Sequence, residues 1–152
     1  MQLTVLEQIR QNVLKVLGTI STANGNSFDG VVIEPNRVGE QTGDGVLVPH
    51  LGGSERNPES NAGVEEWVQA FEVQIFCVQS ETLAAPADGQ ITQRVAEVVK
   101  ALMKDPTRGD WAHDTTDEPP DWFKRADGRH EGAVAVVHVR YRHQWGDPFT
   151  VR

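Results

Sequence analysis

Five histidines, one cysteine and an acidic run are the residues of this chain able to do chemistry, and their spacing limits what that chemistry is. The histidines are His50, His113, His130, His138 and His143. His138 and His143 are five apart in a stretch with strand periodicity, so they face opposite ways. His130 and His138 share a face but lie far apart along it, so a metal cluster would need ligands from another element. Surface or interface histidines are the expectation. Asp110, Asp114, Asp117, Glu118 and Asp121 surround Trp111 and His113. A calcium loop alternates its acidic ligands and places a glycine at the turn. This run does neither and reads as a solvated loop. His113 and Asp114 form the one pair with general-base chemistry, although adjacent residues rarely aim at one point. Cys77 is alone, which excludes an intrachain disulfide and a CxxC-type zinc site. Its place in Val73-Gln74-Ile75-Phe76-Cys77-Val78 predicts a buried, inert thiol. There is no GxGxxG, Walker-type phosphate loop, HExxH or GxSxG. Gly52-Gly53-Ser54 lacks the lysine and the helix that a phosphate loop needs. No catalytic residue, cofactor or metal is expected.

The elements that position these residues follow from periodicity. Leu3 to Leu17 reads as a helix, with Leu6, Ile9, Val13 and Leu17 at helical spacing. Thr4 with Glu7 fits a capping box and Gly18 suits the stop. Phe28 to Glu34 and Gly45 to Leu51 read as short strands, and Pro49 marks the second as an edge or a bulge. The polar stretch Gly52 to Gly63 is predicted to be an exposed loop and a mobile arm. Glu65 to Val78 is a long strand with Trp67, Phe71, Val73, Ile75 and Cys77 on one face. Phe76 and Val78 lie on its other face, so a helix, a loop or another subunit must cover that end. After a linker at Ser80 to Ala87, Asp88 caps a helix running to about Lys104. Its stripe is Ile91, Val95, Val98, Val99 and Leu102, with Arg94, Glu97 and Lys100 away from it. Asp105-Pro106 stops it. Asp110 to Asp127 reads as irregular, or a short strand with a loop, interrupted by Pro119-Pro120. Glu131 to Trp145 is the last predicted strand, with Ala133, Ala135, Val137, Val139 and Tyr141 sharing a face and Gly146-Asp147-Pro148 as a polar stop.

The chain thus reads as one α+β domain of 152 residues: a mostly antiparallel sheet with both helices packed on one face. A chain of this length buries roughly 68–70% of its unfolded surface, enough for a core. Its net charge of −8 argues against wrapping on nucleic acid, where Lys and Arg supply most of the affinity. A basic stretch leading into an apolar run is missing at the N-terminus, and no segment reaches the roughly 18 apolar residues of a membrane span. A protein made and retained in a cytosol is therefore expected. Trp111, Trp122, Phe123, Trp145 and Phe149 fall in predicted loops or near the chain end. Together with Asp147 they are candidate interface anchors, with folding back as satellite core the equal alternative.

Three segments carry a resemblance when taken together. They are Glu72 to Thr82 continuing into Ile91 to Met103, then Leu102-Met103-Lys104-Asp105-Pro106-Thr107-Arg108-Gly109, and Val139-Arg140-Tyr141-Arg142-His143 ending in Gly146-Asp147-Pro148-Phe149-Thr150. In this order and spacing the chain resembles the tail terminator, or tail completion, proteins of long-tailed bacteriophages and prophages. The resemblance covers most of the chain but not Gly52 to Gly63 or Thr115 to Arg129. It implies a structural virion protein of the tail or neck, assembled in the bacterial host cytoplasm. Such a protein forms a homo-oligomeric ring, usually a hexamer, on the last ring of tail tube protein. The ring ends tube growth and presents a surface to the head-tail connector, or stopper, protein. DNA passes through the lumen without specific binding, and an acidic lumen would let it slide.

Other readings stay open from the residues alone. The nearest is another connector component, such as a stopper or head-completion ring. A small metal-dependent enzyme would use His113, Asp114 and the acidic run. A prophage-encoded regulator would be a stable monomer or dimer that binds one host protein.

Overall fold

The computed structural model of the chain describes residues 1–35, 43–57, 63–78, 87–124 and 130–152. Helix α1 covers Val5–Leu17 and buries the predicted stripe, Val5, Ile9, Val13 and Leu17. Thr4 caps it by accepting the Glu7 N–H at 3.1 Å. The second half of the capping box is replaced, because the Glu7 carboxylate instead holds Arg10 through two 2.8 Å bonds. Gly18 ends the helix in a right-handed conformation, its N–H bonded to Leu14.

Strands β1 (Val31–Val32), β2 (Val46–Arg56) and β3 (Val64–Val78) come next, then helix α2 (Ala87–Met103). Strands β4 (Asp114–Lys124), β5 (His130–Gln144) and β6 (Asp147–Val151) complete the chain. They make one strongly curled sheet in the order β1-β2-β3-β5-β4, with β6 paired to β5. Only β1 and β2 run parallel. β3 and β5 form the spine, in unbroken register from Val64 opposite Gln144 to Val78 opposite His130. Both helices lie on one face. There Ile9, Val13 and Leu17 of α1 and Ile91, Val98 and Leu102 of α2 join Phe71, Val73, Ile75 and Cys77 of β3 and Val137 and Val139 of β5. Each large aliphatic side chain fully buried here contributes about 1.5–3 kcal/mol. The α+β expectation, with both helices on one face, holds, and Cys77 is buried as expected.

Several sequence readings are corrected. Gly52–Arg56 is the outer half of β2, not loop; a bulge between Leu51 and Ser54 absorbs the paired glycines. Positions 58–62 of the predicted arm lie outside the described residues. Phe28 to Glu34 contributes only a two-residue strand, because Gly30 is tied to Ile20 and Phe28 turns into the core. The linker at 79–86 lies outside the described residues, and Asp88 falls inside α2 rather than before it. Asp114 to Lys124 is a full edge strand that tolerates Pro119-Pro120 in a bulge between Glu118 and Asp121. Gly146 is not a stop. With φ of 69° it makes the tight turn that lets Asp147–Val151 return as β6.

On the sheet's second face, Ile33, Val46, Val48 and Phe76 form a smaller cluster. Phe123 closes it, edge-on to Phe76 at 5.6 Å between ring centres. The cover over Phe76 is therefore a strand of the same chain, β4, and not the helix, loop or other subunit expected. Gly132 makes this possible: a Cβ there would sit 2.3 Å from Phe123 Cζ and 2.8 Å from the Ile75 carbonyl oxygen.

Candidate functional site

The five aromatic residues among the six predicted anchors separate into two groups once the strands are placed. Trp111 is half-buried against the main core, and Phe123 is half-buried against the second-face cluster, so both pack as satellite core. Trp122 (54% exposed), Trp145 (53%) and Phe149 (40%) stay on the surface. Trp145 and Phe149 share the β5–β6 hairpin with the exposed Val151. The hairpin is fixed from both sides. The Trp145 N–H donates to Gly63 at 2.9 Å, and the Arg56 guanidinium stacks 4.6 Å above the Trp145 ring. Asp147 supports the turn. Its carboxylate accepts the Thr150 hydroxyl at 2.7 Å and the Phe149 N–H at 3.0 Å, and these bonds hold its pKa below the usual carboxylate range.

Trp122 lies at the opposite end of the sheet. It pairs with Ala133, whereas the hairpin departs from β5 at Gln144. At about 3.3 Å per residue those eleven positions (144 − 133) put the two exposed aromatic sites roughly 35 Å apart. Exposed aromatic side chains near both ends of long strands give the domain two separate apolar contact points.

Several of the candidate catalytic residues are tied into local contacts. His113 Nε2 lies 3.0 Å from the Arg152 carbonyl oxygen, while the Asp114 carboxylate accepts the Thr115 N–H at 2.9 Å. The two are thus spent on separate local bonds. His138 pairs with Glu118 at 2.8 Å, and buried His143 lies 3.3 Å from Glu65. His50 is half-buried in β2 with its Nε2 buried and without a hydrogen-bond partner, and the side chain of His130 lies outside the described residues. Apart from Asp110, which lies in the preceding turn, the acidic run is strung along β4, and no group of three or more His, Cys, Asp or Glu among the described residues could hold a metal ion. Nor is any described helix long and apolar enough to cross a membrane.

The structure also shows polar residues that periodicity misplaces. Arg94 was expected away from the apolar stripe but is 5% exposed. It reaches Asp44 through bonds of 2.7 and 3.0 Å, bonds the Phe76 carbonyl at 3.1 Å, and stacks 4.8 Å from the Phe28 ring. Partial burial works to raise the Asp44 carboxyl. Arg94, together with the Val78 and Gly45 N–H groups, outweighs it and leaves the pKa lowered. On the second face, Glu66 is buried between Asn57 at 2.7 Å and Arg142 at 2.5 Å, and these bonds depress its carboxyl. Arg108 is 1% exposed, in a turn where it adopts φ of 53°. Its Nη1 lies 3.5 Å from the Asn12 side chain, while Nε and Nη2 are buried with no hydrogen-bond partner. Burial lowers its pKa, with the Asp105 carboxylate opposing that shift.

A cavity of about 220 Å³ opens between α1 and the β2 side of the sheet. Val13, Leu14, Pro49, Leu51 and Phe71 line it, together with Arg10. Leu51 is half-exposed there. Nothing in the sequence marked this hollow, whose lining is brought together from α1, β2 and β3.

No protein-family model matches the chain, and no curated protein matches it at a significant level.

Proposed function

We propose that this chain is a structural subunit of a long-tailed phage particle, a tail terminator that forms a ring on the end of the tail tube and joins it to the head connector. The observation that carries the reading is the separation of exposed aromatic residues, Trp145 and Phe149 at one end of the sheet and Trp122 at the other. A subunit clamped between a tube below and a connector above needs apolar contact points at both ends. A lone enzyme or regulator has no such need. The sequence resemblance supports the same reading independently. His113, Asp114, Glu118 and His138, bound into separate local contacts, add nothing that favours hydrolysis.

Electron microscopy of the purified protein, alone and mixed with tail tubes that lack it, tests the proposal. Rings that cap one end of the tube are expected. Tubes left open beside a persistent monomer would overturn it.

A further inference from the structure

We infer that the outer edge of β2, with the cavity beside it under α1, is a docking site for an extended basic segment of another protein. The segment adds to the sheet as a strand and places one leucine-sized apolar side chain in the cavity. The inference stands apart from the ring reading and does not rest on it.

The edge comes first. β1 covers β2 only at Val46 and Leu47. From Val48 to Arg56 no strand among the described residues lies against the outer side of β2. The Val31 and Ile33 N–H groups donate to the Gly45 and Leu47 carbonyls, so the odd-numbered residues here turn their main-chain groups outward. Pro49 and Leu51 continue that alternation. Pro49 has no N–H, which suits an edge, and its carbonyl faces out together with the N–H and carbonyl of Leu51. An extended segment laid along this edge takes up main-chain groups that no described strand uses.

The cavity adjoins the same edge on the helix face. Pro49 and Leu51 pair with Val73 and Phe71 of the main core, and both line the cavity with Val13 and Leu14. A residue set opposite either of them on an added strand shares their face, so its side chain enters beneath α1. The cavity holds about 220 Å³, and roughly 150 Å³ already admits benzene, so a leucine or phenylalanine side chain fits. Leu51, half-exposed in the free protein, is covered by the same contact.

Charge selects the partner. Arg10 is bound by Glu7 and lies in the field of Glu34, so the α1 side of the cavity is negative on balance. Glu72 stands across from His50 on the other face, and the bare Gly52 leaves its carboxylate leaning toward the edge: a Cβ at Gly52 would lie 3.0 Å from its Oε1. Neither Glu72 nor the exposed Glu55 has an ion-pair partner among the described residues. Neighbours of the apolar anchor on the added strand point to the face of Glu72, so lysine or arginine there meets an unpaired carboxylate. A second copy is a poor occupant. The sheet's other outer edge, β4, carries Asp114, Asp117, Glu118 and Asp121, and each chain bears a net charge of −8.

The probe is a short synthetic peptide with a central leucine, a lysine on either side of it and threonines beyond, titrated to millimolar concentration against the whole chain. The readout is hydrogen exchange of the Leu51 amide by NMR. That N–H should exchange as an open group in the free protein and slow about tenfold or more when the peptide is bound. Glycine in place of the peptide's leucine should weaken binding about tenfold or more. Glutamates in place of its lysines should weaken it about fivefold, and Glu72→Lys should narrow that preference. A peptide that does not bind, or binds and leaves Leu51 exchange unchanged, would overturn the site. Protection of Leu51 in the free protein at every dilution would show that the chain covers its own edge. Protection that fades on dilution would place a second copy there. Either result would overturn the proposed partner.

Discussion

Two buried arginines of this chain make opposite predictions, because one is paired and the other is not. Arg94 holds Asp44 through two bonds, and removing it strands a carboxylate and the Phe76 carbonyl. Breaking a fully buried pair costs roughly 3–5 kcal/mol, but Asp44 is half-exposed, so Arg94→Ala should cost about 2–3 kcal/mol in urea unfolding. Arg108 has two buried donors with no partner, so Arg108→Met should leave stability unchanged or raise it by about 1 kcal/mol. A clear loss in that variant would contradict the geometry at Asn12. Acid acts through the same groups. Asp44, Glu66 and Asp105 have lowered carboxyl pKa values, so in the relevant range the unfolded chain binds more protons than the folded one. Their contribution is complete above the ordinary values of 3.8 for aspartate and 4.5 for glutamate, and is lost as pH falls through the lower folded-state values. The urea midpoint should drop steadily as pH falls below about 5, and Glu66→Gln should flatten that slope.

At the scale of elements, what the sequence disclosed depended on how far each pattern reached. α1 and the strands near Glu65–Val78 and Glu131–Trp145 were legible because their apolar residues recur at one period over many residues, and the core uses those same side chains. The outer half of β2 and all of β4 were hidden for a shared reason. Gly52-Gly53 and Pro119-Pro120 read locally as breakers, yet each lies where a register shift accommodates it. β4 is further disguised by its charges, which suit an edge strand with little to bury. Arg94 was misplaced because its partner, Asp44, is fifty residues away in sequence. Of the site, the exposed aromatics could be named from their positions, but only the pairing register separates Trp122, facing outward, from its neighbour Phe123. That neighbour gives the element-scale prediction. Gly132→Ala places a methyl group where the Phe123 ring now lies, so Phe123 must leave Phe76 or β5 must shift. Overpacking of this kind costs about 1–3 kcal/mol. Phe123→Ala should partly rescue the Gly132→Ala variant, since it removes the clashing ring; two strictly additive losses would show that the ring is not the obstacle.

For the molecule as a whole, the decisive question is whether the β5–β6 hairpin serves the fold or a partner. If Trp145 and Phe149 were core, truncating either to alanine would cost about 3–5 kcal/mol, as buried aromatics do. Both are instead largely exposed, and the visible support of Trp145 is one stacked arginine, worth about 0.5–1 kcal/mol at an exposed site. The double variant Trp145→Ala with Phe149→Ala should therefore unfold in urea within about 1 kcal/mol of the native protein. Aromatic anchors at the centre of an interface carry losses of about 2 kcal/mol or more each, so the same variant should fail to bind its partner surface. The measurement is paired: unfolding in urea beside capping of tail tubes by electron microscopy. A stable variant that no longer caps would assign the hairpin to assembly. An unstable one would return both residues to the fold, and a stable one that caps normally would leave Trp122, at the far end of the sheet, as the sole aromatic contact of the ring.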